Sequence, residues 1–308
     1  MVPGFHVPVA PAPPAFRFAP SPNGHLHLGH SRSALVGHAL AQGLGGRFLV
    51  RLEDIDVARC RPEYATSILD DLSWLGLSWE TPVRQQSQHF DDYRAAAERL
   101  LAAGLLYACY ASRNEIVAAA DQRRCDPDGV PLYPGWHRCI SAGETARRQR
   151  RGEPYALRLD MPRAIATAQA ALDGCPLTFS ELDVTAGRIG AARTIAAHPE
   201  RWGDAVIVRK DTPASYHLSV VVDDALQGIT HVTRGRDLYA ATDLHRLLQV
   251  LLGLPEPLYH HHMLIMGPDG RKLSKSAGAP SLKSLRAEGL SPVTARQLCQ
   301  RGLMPVLP

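Results

Sequence analysis

The sequence contains no uninterrupted apolar run of about 18 residues, the length needed to cross a bilayer, so no membrane span is expected. It lacks the basic start and apolar stretch of a secretory signal. Residues 1–15, MVPGFHVPVAPAPPA, are instead rich in proline and alanine and are expected to form a leader without fixed structure. Cysteine is sparse. Six are dispersed over 308 residues with no framework spacing, which excludes a disulfide-stapled scaffold and favours a reducing cytoplasm. No repeat at a solenoid period is present. A net charge of +4 permits a polyanionic partner without requiring one.

What is present is 45% apolar and 21% charged residues, enough to build a sizeable core as one domain with a large insertion, or as two domains. A short strand at 16–18 runs into the turn APSPNGH, a small-residue helix follows at about 29–42, and RFLVRLED reads as a second strand. Strand, helix, strand is the start of a parallel sheet. Ala65, Ile68, Leu69, Leu72 and Leu75 share one face of a helix that Pro62 opens. From about 108 to 201 the periodic segments shorten, and only YALRLD reads as a strand, so this stretch is expected to be an insertion. Strands are expected again at GDAVIVRKD, SYHLSVVVDD and GITHVTRG, then a helix at ATDLHRLLQVLLGL, a strand at YHHHMLIM, and helices at the end.

Two segments carry chemistry. In PSPNGHLHLGH, residues 20–30, a strand ends, prolines fix a turn, and a helix begins. A helix N-terminus presents unpaired N–H groups to a phosphate. His27 and His30 stand there, and an imidazole beside a phosphate can donate to developing charge. Gly29 lets a base or ribose approach the backbone. In GPDGRKLSKS, residues 267–276, a tight turn precedes Lys272 and Lys275, two cations that can close over a triphosphate. Each segment alone is also what a surface turn or a solvated basic loop looks like.

Together, in this order, they resemble the class I aminoacyl-tRNA synthetases. His27-Leu28-Gly29-His30 resembles the HIGH motif and Lys272-Leu273-Ser274-Lys275-Ser276 resembles KMSKS. RFAPSPNGHLHLGH, RLEDID and HVTRGRDL resemble the glutamate-specific branch. The resemblance implies an α/β fold: a Rossmann-type parallel sheet split between 16–108 and 202–276, an inserted connective subdomain at 109–201, and a short helical tail at 277–308. It implies ATP with Mg2+ as substrate. His27, His30, Lys272 and Lys275 would be catalytic, and His27, Gly29, His30 and Lys275 would bind the nucleotide.

The same resemblance assigns Arg17, Ala19 and Ser21 to the wall of an L-glutamate site. Glu53 would take the α-ammonium, and Tyr216 and Arg234 the carboxylate oxygens. A dicarboxylate needs two cationic or strong donor groups and an acceptor for its ammonium, which this set supplies. Which arginine takes the side-chain carboxylate is left open. Asp54 and Asp56 read as partners of local arginines.

The 32 residues from 277 to 308 are too few for an independent anticodon-binding domain. Core and length together resemble the branch that activates glutamate without tRNA and passes it to the queuosine base at the wobble position of tRNA(Asp). There a groove for an acceptor stem would hold an anticodon stem-loop instead, read by shape and phosphate contacts. A monomer is expected. The alternatives are a truncated enzyme charging the tRNA 3′ end, a non-catalytic RNA-binding paralogue, and a small-molecule adenylyltransferase. The family's zinc pattern, Cys-x-Cys followed by Tyr and Cys, is broken here. Ala111 stands for the second cysteine and His137 for the last, so zinc is expected to be lost. Cys109, His137 and Tyr133 or Cys139 remain as candidate ligands, and a rewired site would use Cys109, Cys125, His137 and Cys139. In the family a histidine pair precedes the lysine loop, and the run 260–262 is read in that way rather than as a metal site.

Overall fold

The computed structural model describes residues 12–121, 123–185, 188–267, 273 and 279–301. The expected opening is present. Strand β1 (Ala15–Phe18), helix α1 (Leu28–Gly43) and strand β2 (Arg47–Leu52) follow in order, and β1 and β2 pair in parallel from Ala15–Arg47 to Phe18–Val50. Helix α2 (Pro62–Trp74) starts at its proline and buries Ile68 and Leu72, with Leu75 just beyond. Strand β3 (Glu80–Gln85), which lacks apolar alternation and was not expected, adds in parallel to β2 before helix α3 (Phe90–Ala102).

Sheet membership crosses the sequence boundaries of the insertion. Strands β4 (Leu106–Cys109), β5 (Ala156–Leu159) and β8 (Val206–Val208) form a separate antiparallel sheet, with helices α4 (Arg113–Ala119), α5 (Ala142–Arg150) and α6 (Met161–Ala171) in the intervening chain. Strands β6 (Thr178–Thr185) and β7 (Arg188–Ala196) form a hairpin that joins the main sheet. That sheet has seven strands in the order β3-β2-β1-β9-β10-β6-β7, where β9 is His231–Gly235 and β10 is Leu258–His262. All its pairings are parallel except β6 with β7.

One expected strand is a helix. SYHLSVVVDD forms α7 (Tyr216–Leu226), capped by Ser215, whose hydroxyl accepts from the Leu218 amide. Residues 218 to 224 are all buried, so no polar face marks a helical period, and the β-branched run Val220–Val222 imitates a strand. Helix α8 (Ala241–Leu252) packs beside it.

The sheet is covered on both faces. Phe16, Phe18, Phe48 and Val50 face α1, α2 and two terminal helices, α9 (Leu282–Ala287) and α10 (Pro292–Arg301). The Arg32 guanidinium donates to the Cys299 carbonyl at 2.5 Å, holding α10 on α1. On the opposite face Arg17 and Arg51 meet α7. Because β1 is followed by β2 on one side and neighboured by β9 on the other, the strand order reverses between β1 and β9, where open α/β sheets bind ligands. Among the described residues no helix is long and apolar enough to cross a membrane.

Candidate active site

A cleft of about 1070 Å³ opens at that reversal, at the carboxyl ends of β1 and β9. Every proposed glutamate or nucleotide residue in the described chain lines it: Arg17, Ala19, Ser21, His27, Gly29, His30, Glu53, Tyr216 and Arg234. Lys272 and Lys275 lie outside the described residues. Leu273, between them, lines the cleft, and its amide donates to the Ile265 carbonyl at 3.3 Å.

At one end the two histidines replace the usual Ser–Glu capping box of α1. His27 Nδ1 accepts from the Gly29 amide at 3.0 Å, and His30 Nδ1 accepts from the His27 amide at 3.2 Å. A ring nitrogen that accepts from an amide carries no proton, so in the neutral rings Nε2 is the N–H of both residues. The rings lie with centroids 3.7 Å apart. Gly29 permits this packing: a Cβ there would stand 2.8 Å from His27 Cε1. The glycine therefore makes room for an imidazole, in addition to any ligand.

At the other end lie two arginines held in opposite ways. Arg17 forms a two-point pair with Asp224 of α7, both contacts 3.1 Å. Asp224 also accepts from Arg51 NH1 at 2.7 Å, and Arg51 NH2 donates to Glu53 at 3.1 Å. Burial would raise the Asp224 carboxyl, but Arg17 and Arg51 outweigh it and hold it below its ordinary value. For Glu53 burial wins over Arg51 and Arg17, and its carboxyl is raised. The network continues through Asp223, which accepts from Arg84, Gln86 and Tyr93.

Arg234, buried at the end of β9, has no such partner. Its guanidinium donates to His261 Nε2 at 3.1 Å, His245 Nδ1 at 3.2 Å and Thr242 Oγ1 at 2.7 Å, and it forms no ion pair among the described residues. Among the described residues it does not pair with Asp237, three positions on. Tyr216 opens α7 beside it, and burial keeps its phenol protonated against the pull of Arg234.

Of the histidine run, His262 lines the cleft and contacts Ser33 at 2.8 Å, while His261 turns to the opposite face of β10 and meets Glu181. Asp56 pairs with Arg59 and Arg209 as expected, but among the described residues Asp54 meets no arginine: it accepts from the amide and hydroxyl of Ser87. Arg51, Asp224, Thr242, His245 and Glu181 were missed by sequence reasoning. Asp223-Asp224 inside an apolar run was the available signal, because buried carboxylates require cationic partners.

In the small sheet, His137 Nδ1 lies 2.7 Å from the Tyr133 hydroxyl and 3.8 Å from Cys109 Sγ. Cys139 is exposed and is not among the groups bonded to His137. Two Cys or His side chains and a phenol fall short of the four ligands a structural zinc takes. Among the described residues no group of three or more His, Cys, Asp or Glu is placed to hold a metal.

A family model described as tRNA synthetases class I (E and Q), catalytic domain, matches residues 15–306. The chain is 44% identical over 297 residues to a Glutamyl-Q tRNA(Asp) synthetase of Rhodobacter capsulatus, covering 92% of this chain and 98% of that protein. It is 40% identical over 286 residues to a protein of the same name from Symbiobacterium thermophilum, covering 90% and 83%. Among solved structures, the glutamate-tRNA synthetase of Elizabethkingia anophelis superposes with a TM-score of 0.68 at 27% identity, covering 86% of this chain and 53% of that one.

Proposed function

We infer the activity of this chain from the family to which it belongs, the class I tRNA synthetases of the glutamate and glutamine type. It is an ATP-dependent ligase that activates L-glutamate as the adenylate and transfers the glutamyl group to the queuosine base of tRNA(Asp), a reading supported by the relatives of matching length that carry the name Glutamyl-Q tRNA(Asp) synthetase. The single observation that carries the amino-acid side of this reading is Arg234, a buried cation whose partners among the described residues are all neutral, at the wall of the cleft.

In the first step a carboxylate oxygen of glutamate attacks the α-phosphorus of ATP and pyrophosphate leaves. The Nε2–H groups of His27 and His30 are suited to donate to the phosphoryl oxygens as charge spreads. Lys272 and Lys275 would offset the charge of the departing pyrophosphate, and ATP would bring magnesium with it. Glu53 would accept the α-ammonium, with Arg17, Ala19 and Ser21 forming the wall and Tyr216 donating beside Arg234. In the second step a hydroxyl of the modified base attacks the mixed anhydride and AMP leaves. The accepting RNA element would be the anticodon stem-loop.

Incubation with labelled glutamate, ATP and separated tRNAs, followed by mapping of the labelled nucleotide, tests this reading. Label at the wobble nucleotide of tRNA(Asp) is expected. Label on the 3′-terminal adenosine would support the truncated-enzyme alternative and contradict it.

A further inference from the structure

Arg17 and Arg234, which both line the cleft, differ in what holds them. Arg17 rests on the carboxylate of Asp224, which compensates its charge. Arg234 rests on three acceptors, and geometry alone fixes all three as uncharged. A guanidinium only donates, so each ring nitrogen facing it must be without a proton. His261 accepts at Nε2, leaving its proton on Nδ1, which donates to Glu181 Oε2 at 2.8 Å. His245 accepts at Nδ1, leaving its proton on Nε2, which donates to His217 Nδ1 at 3.2 Å. Thr242 accepts at Oγ1, and that oxygen lies 3.2 Å from His261 Nε2. Thr242 and His245 lie three apart on α8, so one helix face supplies two of the three contacts, and β10 supplies the other.

Carboxylates at these positions would fix the guanidinium equally well, as Asp224 does for Arg17. They would also cancel its charge. Glu181, the carboxylate that His261 meets, is separated from the guanidinium by the whole His261 ring. We propose that His245, Thr242 and His261 are positioning residues for glutamate selection: they orient Arg234 without neutralising it, so that the compensating charge must come from the substrate's second carboxylate. Glutamine, the same shape without the charge, would leave that buried cation uncompensated. Burial and the neighbouring Arg234 keep His245 well below its ordinary value and His261 at about 4, consistent with neutral rings at physiological pH. The proposal rests on the glutamate-activating reading above.

The test is ATP–pyrophosphate exchange with two isosteric variants, His245→Asn and His245→Asp. Both lose the contact to His217, and both keep an oxygen near the Nδ1 position, but only Asp brings charge. His245→Asn should retain glutamate KM to within about threefold, whereas His245→Asp should raise it roughly ten- to hundredfold with kcat little changed, and should narrow the preference for glutamate over glutamine. Equal behaviour of the two variants overturns the proposal. Should His245→Asp fail to fold, Thr242→Asn and Thr242→Asp set the same comparison against NH2 of the same guanidinium. The wild-type chain alone gives a third reading. It should use glutamine at least about a hundredfold less efficiently than glutamate, and comparable use of the two overturns the proposal whatever the variants do. Absence of exchange with any amino acid would instead remove the glutamate-activating reading itself.

Discussion

Arg17 and Asp224 meet through two contacts of 3.1 Å across 207 residues of chain, fastening the first strand of the sheet to helix α7. The pair is buried, with side-chain exposures of 5% and 8%, and Asp224 also carries Arg51. Removing one partner of such a pair leaves uncompensated charge, so Asp224→Asn should lower unfolding stability at pH 7 by about 3–5 kcal/mol, measured by urea denaturation. The sign with pH follows from the depressed folded carboxyl. The stabilisation is complete above the ordinary carboxylate value and is lost as pH falls through the lower folded one. Wild type and variant should therefore converge only in strong acid.

Glu53 behaves in the opposite sense. Burial raises its folded carboxyl, so it takes up a proton at a higher pH than an ordinary glutamate, and its ionised form costs stability above that pH. If it accepts the substrate ammonium, glutamate KM in pyrophosphate exchange should rise as pH falls through that raised value. Glu53→Gln should show a high KM with no acid limb of this origin. An unaltered acid limb in the variant would assign the titration to another group.

Gly29→Ala tests the histidine cap. The added methyl would stand 2.8 Å from His27 Cε1 and 3.0 Å from Nδ1, so the ring must leave its place on the helix N-terminus. Loss of the cap should cost about 1 kcal/mol of stability. Loss of a placed donor should lower kcat for adenylate formation by at least about tenfold. Thermal melting and pyrophosphate exchange on the same sample separate the two effects.

Cys109, Tyr133 and His137 form a hydrogen-bonded cluster on the small sheet. Elemental analysis of purified protein should find well under one zinc per chain, and a chelator should leave the melting temperature unchanged. One tightly held zinc per chain would contradict the expectation that the altered ligand pattern has lost the metal.

The sequence made legible what local pattern encodes. The turn after β1, the histidine pair at the start of α1 and the acidic residue after β2 could each be placed from spacing and turn chemistry, and they do line one cleft. What was not legible depends on packing between distant segments. The small sheet gathers strands starting at Leu106, Ala156 and Val206, and no local period reports such a partnership. Helix α7 was read as a strand because burial on all sides erases its amphipathic period. The same error hid the buried network, since only a helix directs Asp223 and Asp224 toward Arg84, Arg51 and Arg17 together. The neutral cradle of Arg234 was hidden for a related reason: Thr242 and His245 look like ordinary polar residues of α8 until β9 is laid against it.

The central claim is that one cleft joins ATP to glutamate before any RNA is engaged. Glutamate-dependent ATP–pyrophosphate exchange by the purified chain, with RNA removed by nuclease, measures this directly. Robust exchange with L-glutamate alone is expected. Exchange that stays at background until tRNA is restored would contradict the claim.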